Sequence, residues 1–196
     1  SETTLGGPLF RSYTPVATPV RVFPNLKMVR NGLLSNAGVN NASGEKIPDV
    51  TRSLMFRLAL RTQGATTGSY HMPDDSVMLS VINTGEGFKV TSQNTPGITY
   101  DGYSAQVVNW NVAGSDAAPI NAKTVDIFIS YDDGETWVKS LGTFPNTGTA
   151  VVSIPNPDTL VQAARIKVKG TANVFFSMNT SKFAITHNYE AGIAVH

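Results

Sequence analysis

Hydrophobic and polar residues alternate most regularly between Ala122 and Leu141. Val125, Ile127 and Ile129 are interleaved with Asp126, Phe128 and Ser130, and a period of two puts the aliphatic set on one face of a strand. Asp132-Asp133-Gly134 follows as a turn, because glycine tolerates the positive φ that tight hairpins demand. Thr136-Trp137-Val138 then resumes with β-forming residues, so the stretch predicts a β-hairpin.

The same idiom of short strand and polar turn recurs along the chain. Prolines at 8, 15, 19 and 24 predict an extended, edge-like segment over 6–24, since proline lacks the donor that a central strand needs. Leu26, Val29, Leu33 and Leu34 fall at helical spacing, and Gly32 can stop the turn, so 25–32 is the one predicted helix. A loop rich in Asn, Gly, Ser and Ala spans 35–44. Strands are predicted over 53–62, with Phe56, Leu58 and Leu60 inward, and over 76–83, pairing across the loop 63–75. Thr84-Gly85-Glu86-Gly87 reads as a linker. Beyond it, strands are predicted at 88–92, 105–112, 124–131, 136–141, 149–154, 163–168, 174–178 and 182–186, the spacing of a sandwich. Val108, Trp110 and Val112 share a face, which makes Trp110 a large piece of the core. So many short strands with almost no helix are most economically satisfied by two stacked antiparallel sheets.

Composition narrows the functional classes. The 196 residues suffice for a hydrophobic core in one large or two small domains. Charged residues make up 15 %, below the usual quarter, and Gly, Thr, Ser, Asn and Val are plentiful, which points to an extracellular β-protein. With no cysteine, disulfides, thiolate zinc sites and cysteine nucleophiles are excluded. A net charge of +1 offers no field to gather nucleic acid, and no apolar run reaches the ~20 residues of a membrane-spanning helix. The chain opens on Ser1-Glu2-Thr3-Thr4 and closes on a stretch that resembles a linker, so it is expected to be a piece of a longer polypeptide.

Pro8-Leu9-Phe10-Arg11-Ser12-Tyr13, Arg21-Val22-Phe23-Pro24 and Met55-Phe56-Arg57-Leu58 occur in that order. They are followed by Val108-Asn109-Trp110-Asn111-Val112-Ala113, Asp133-Gly134, Phe144-Pro145-Asn146-Thr147-Gly148, Ala164-Arg165-Ile166-Lys167-Val168 and Asn173-Val174-Phe175-Phe176-Ser177. This succession, covering roughly residues 8 to 186, resembles the region after the catalytic domain in secreted bacterial reprolysin-like zinc metalloproteases. The resemblance implies two immunoglobulin-like β-sandwich modules in tandem: a first over 1–86, a second over 87–187, and a linker or tail over 188–196. It also implies that the first module lacks strands, since the family has further strands ahead of the Pro-Leu-Phe-Arg-Ser segment. The protease chemistry does not come with it. The His-Glu-x-x-His zinc helix is missing, and His71, His187 and His196 are not paired at helical spacing.

Ser130-Tyr131-Asp132-Asp133-Gly134-Glu135-Thr136-Trp137 resembles the Asp-box of sialidases and other propellers, Ser-x-Asp-x-Gly-x-Thr-Trp. Here it occurs once, in a chain too short for many four-stranded blades, so its expected role is to cap a turn with Asp132 and pack Trp137 beneath it. Asp132, Asp133 and Glu135 on one loop, and Asp74 with Asp75 on another, are candidate calcium ligands, because that ion prefers clustered carboxylate oxygens. Against this stands the ordinary use of Asp and Glu as solvated turn formers. Tyr100, Tyr103 and Tyr131 are candidates for an aromatic glycan platform. Arg165, Lys167 and Lys169 alternate along one strand, and Arg57 and Arg61 along another, as expected of solvated basic sheet faces.

No nucleophile elbow, phosphate loop or dinucleotide fingerprint is present, and no catalytic residue is assigned. The expected function is that of a non-catalytic accessory region of a secreted or cell-surface metalloprotease-like protein. Its partners would be adjacent domains of the same polypeptide, or a surface protein or glycan. The alternatives are a structural subunit of an extracellular fibre or adhesin, self-associating through an open sheet edge, and a carbohydrate-binding module. No cofactor is required, and calcium is the one metal the loops invite.

Overall fold

A computed structural model of the chain describes residues 9–10, 20–34, 45–59 and 74–189. The described residues are mostly β, with one short helix and several sheets whose strands pair antiparallel but for one pair. The described residues fall into two units, one comprising 48–59 and 74–83, the other 9–10, 20–34, 45–47 and 84–189. Residues 9–10, 20–34 and 45–47 thus belong with the second unit.

In the first unit, β1 (Arg52–Ala59) and β2 (Asp74–Val81) form an antiparallel pair in the register Leu54↔Leu79 and Phe56↔Val77. Leu54, Phe56 and Leu79 are half-buried, whereas Met55 and Met78, directly opposite one another, are exposed. Asn83 closes the open end, its N–H donating to Thr51 Oγ1 and its Nδ2 to Asp49 O. Pro48 is buried, and across 49–57 and 75–83 no apolar side chain is. A two-stranded ribbon by itself is marginal in water.

The second unit is two sheets around one core. β3 (Lys89–Val90), β5 (Ala105–Asn111) and β8 (Thr149–Ser153) form one sheet in the order β3-β5-β8. The other runs β4-β11-β9-β6-β7, from β4 (Thr99–Asp101), β6 (Thr124–Ser130), β7 (Lys139–Pro145), β9 (Val161–Gly170) and β11 (Phe183–Thr186). β10 (Phe176–Met178) pairs with the C-terminal half of β9, ahead of β11 on the same edge. β4 and β11 are parallel, and every other pair of strands is antiparallel.

Alternation decides which faces meet. Val125, Ile127 and Ile129 of β6 and Ala164, Ile166 and Val168 of β9 are all buried. They pack with Val108, Trp110 and Val152 of the opposing sheet and with Phe183 and Ile185. Truncating one such aliphatic side chain to alanine costs ~2–5 kcal/mol, which makes this layer the main source of the unit's stability. The core also holds one polar post. Asn146, in the β7–β8 turn, accepts from the Trp110 indole at 2.8 Å and donates to Ser115 Oγ and Ala122 O, both at 2.9 Å. Gly148 completes that turn at φ 94°, where an added Cβ would stand 3.1 Å from Trp110 O.

The expected hairpin is present, with corrected bounds. β6 ends at Ser130, but the returning strand begins at Lys139 rather than Thr136, because Thr136 is held in the turn by Asp132. β4 has no counterpart among the expected strands. The helix α1 (Leu26–Arg30) lies within its expected range, capped by Asn25, whose Oδ1 accepts from Met28 N. The expected loop at 35–44, the part of the expected loop 63–75 up to 73, the segment 11–19, Arg61, His71 and His196 lie outside the described residues. Asp74 and Asp75, expected in that loop, are corrected to the first two residues of β2, whose pairing with Ala59 and Leu58 takes them into the ladder.

Candidate functional site

The Ser130–Trp137 turn is built by side chains. Ser130 Oγ donates to Asp132 Oδ1 at 2.7 Å and accepts from Gly134 N at 2.8 Å. Asp132 in turn accepts from Thr136 N at 2.8 Å and from Thr136 Oγ1 at 2.5 Å. Partial burial alone would push the Asp132 carboxyl up. The hydrogen bonds from Thr136, Ser130 and its own N–H outweigh that and hold it below the usual carboxylate range. Gly134 sits at φ 84°, and a Cβ there would meet Trp137 Cζ2 and Met178 Sδ, each at 3.5 Å. Trp137 therefore packs beside the turn.

Asp133 takes a left-handed conformation at φ 61°, which short polar side chains tolerate, and faces two arginines. Arg165 donates from Nε to Asp133 Oδ1 at 2.6 Å and from Nη1 to Asn179 O at 2.7 Å and Arg30 O at 3.1 Å. Arg30 donates from Nε to Asp133 O at 2.6 Å, and its Nη2 lies 2.7 Å from Glu135 Oε1. The acidic turn, α1 and β9 are thereby joined into one cluster. An open depression of about 480 Å³ beside it is lined by Asp133, Gln162, Arg165, Thr180 and Lys182. The solvated basic face expected along β9 is corrected here: Arg165 is 6 % exposed, and Lys167 is half-buried.

Lys167 lies on the outer face of the larger sheet among three rings. Its Nζ is 4.1 Å from the ring centre of Trp137, 4.8 Å from that of Phe128 and 5.8 Å from that of Phe176. Burial, with the charge of Lys169 behind it, lowers the amine to about 8. Sequence reasoning missed this grouping because the rings come from three distant segments and meet only through the β6–β9 and β9–β10 registers. Those registers set Phe128 and Met178 opposite Lys167, and Phe176 opposite Lys169.

The other candidate residues are placed as follows. Asp132, Asp133 and Glu135 share the turn, but their carboxylates are engaged by Thr136, Arg165 and Arg30. Asp74 and Asp75 open β2 in the first unit, where Asp75 is exposed. Among the described residues, no group of three His, Asp or Glu side chains could hold a metal ion. Tyr103 is 56 % exposed. Tyr100 packs on the core and stacks edge-on with Phe183, and Tyr131 also packs on the core, its hydroxyl pushed up by burial and then by Asp158. His187 Nδ1 lies 2.6 Å from Pro157 O, and its ring packs on Tyr189. No helix among the described residues is long and apolar enough to cross a membrane. No protein-family model matches the chain, and no curated protein matches it either.

Proposed function

We propose that this chain is a non-catalytic accessory region of a secreted protein of the reprolysin-like zinc metalloprotease type, with two immunoglobulin-like β-sandwich modules that position a neighbouring domain or hold a surface partner. The observation that carries this reading is the strand order of the second unit. Read as an immunoglobulin sandwich, β3, β5 and β8 would be A, B and E, and β11, β9, β6 and β7 would be G, F, C and C′, an order that supports this reading. β4 lies parallel to the strand in the G place. The charged groups of the acidic turn bind one another and the backbone, a use that supports a rigid support module over a reaction centre. Binding to protein or glycan would then fall to loops and sheet edges. The test is the intact mass and full sequence of the native polypeptide, read with its zinc content and proteolytic activity. A longer chain with a His-Glu-x-x-His helix upstream is expected. A native chain ending near these residues, free of zinc and proteolysis, overturns the reading.

A fibre or adhesin subunit is favoured by one separate observation. The β1–β2 pair exposes Met55, Val77 and Met78, and across 52–57 and 75–81 it carries no buried apolar side chain, a condition that an added strand from another chain would relieve. Light scattering on the native protein separates the two. Regular polymers support the fibre, and a monomer removes it.

A further inference from the structure

We propose that Lys167 is an acylation site: a half-buried amine set among Trp137, Phe128 and Phe176 that reacts with activated acyl donors, such as acyl phosphates and activated esters, ahead of the other lysines of the chain. Among the ion pairs and hydrogen bonds of the described residues, none engages its Nζ. The charged groups around it do not supply a counter-ion. Arg165 and Lys169 on β9 are cations, and Arg165 is spent on Asp133 and two carbonyls. Asp126 on β6 stands opposite Lys169 and accepts from Thr143 Oγ1. β10 carries no charge, and Asp133 and Glu135 of the turn are turned to Arg165 and Arg30.

An ammonium so placed loses water without gaining a carboxylate, and its neutral form is favoured; the value of about 8 agrees with this geometry. At pH 7.5 roughly a quarter of such an amine is neutral, against roughly 0.1 % of an ordinary lysine. A less basic nucleophile is intrinsically slower, and a slope like that of thiolates, about 0.4, taken for the amine reduces the advantage to about twentyfold. The rings attract the ammonium and oppose its neutralisation, trimming the advantage further, to about fivefold. In the reaction, the Nζ lone pair attacks the acyl carbon and the N–C bond forms. The bond from that carbon to the leaving group breaks, the leaving group keeps its electron pair, and the nitrogen passes a proton to water.

The experiment labels the full chain with a limiting amount of the acetyl ester of N-hydroxysuccinimide across pH 6.5–10.5 (about one lysine equivalent or less) and quantifies each lysine by peptide mass spectrometry. Lys167 is expected to be the fastest of the eight lysines, about fivefold above their median at pH 7.5, with its rate levelling off above about pH 9 while the others still climb. A rate at or below the median, or one that climbs through pH 10 with the rest, overturns the proposal. Phe176→Ala removes the most distant ring, 5.8 Å away, whose attraction is the weakest of the three, and lets water reach the amine; rehydration outweighs the lost attraction, so it should cut the advantage by at least about half and move the plateau to higher pH. An unchanged plateau in that folded variant also overturns it.

Discussion

Replacing Arg165 with methionine keeps the length of the side chain and removes its charge. The native guanidinium makes three hydrogen bonds, to Asp133 Oδ1, Asn179 O and Arg30 O, from a side chain 7 % exposed. A hydrogen bond involving a charged group contributes ~1.5–3 kcal/mol, and a buried acceptor left without a donor costs ~1–3 kcal/mol. These contributions do not simply add. The Asp133 side chain is 38 % exposed, so water replaces much of what it loses, whereas Asn179 is fully buried and its carbonyl has no such recourse. The expected loss for Arg165→Met is therefore ~2–4 kcal/mol, and for Asp133→Asn, which keeps an acceptor and tolerates the positive φ, ~1–2 kcal/mol. In urea unfolding followed by tryptophan fluorescence, the first loss lowers the midpoint by ~1–2 M at the usual slope for a domain of this size. The double variant should lose less than the sum of the two single variants. A loss below about 0.5 kcal/mol for Arg165→Met, or strict additivity, would refute the claim that this cluster ties α1 and the acidic turn to β9.

Three further outcomes are expected. Asn146→Ala strands the Trp110 indole N–H in the core and should cost ~2–4 kcal/mol, read as a lowered melting temperature with altered tryptophan emission. Asp132 is held below the usual carboxylate range, so it favours the folded state above that range, and its contribution disappears as the pH falls through its lowered folded value; Asp132→Asn should flatten the acid limb of the stability–pH profile. For Lys167 the sign is the same and only the window differs: the unfolded chain keeps the proton longer, so wild-type stability should rise between about 8 and the ordinary lysine value. Because the amine is only half-buried, screening reduces this gain to ~1 kcal/mol, and Lys167→Met should abolish it in urea melts at pH 7.5 and 10 (both approximate settings).

The inward residues of β6 and β9 were legible because a strand buried on one face must alternate, and Val125, Ile127 and Ile129 do so without interruption. Trp137 was legible as a residue packing on the turn. Thr136 was misread as strand because its β propensity lost to two hydrogen bonds offered by Asp132, a local competition that propensity does not weigh. β4 was missed because three residues carry no measurable period, and a parallel partner 85 residues away is invisible locally. The basic positions of β9 were read as solvated, since nothing in a one-strand pattern reveals that α1, the acidic turn and the rings cover that face. The cluster of Arg30, Asp133 and Arg165 spans 135 residues of sequence, and only the packed chain brings it together.

The parallel pairing of β4 with β11 also determines how the second unit bears load. Tension that enters through β3 and leaves past β11 first strips two residue pairs from β5. It then reaches strands that point the same way, Ala184 beside Thr99 and Thr186 beside Asp101. Pulled from opposite ends, such strands must slide past each other, so their hydrogen bonds, including Ala184 N to Ile98 O and Gly102 N to Thr186 O, are strained together rather than one at a time. The arrangement is a clasp that resists stretching along the chain yet opens readily when peeled from the side.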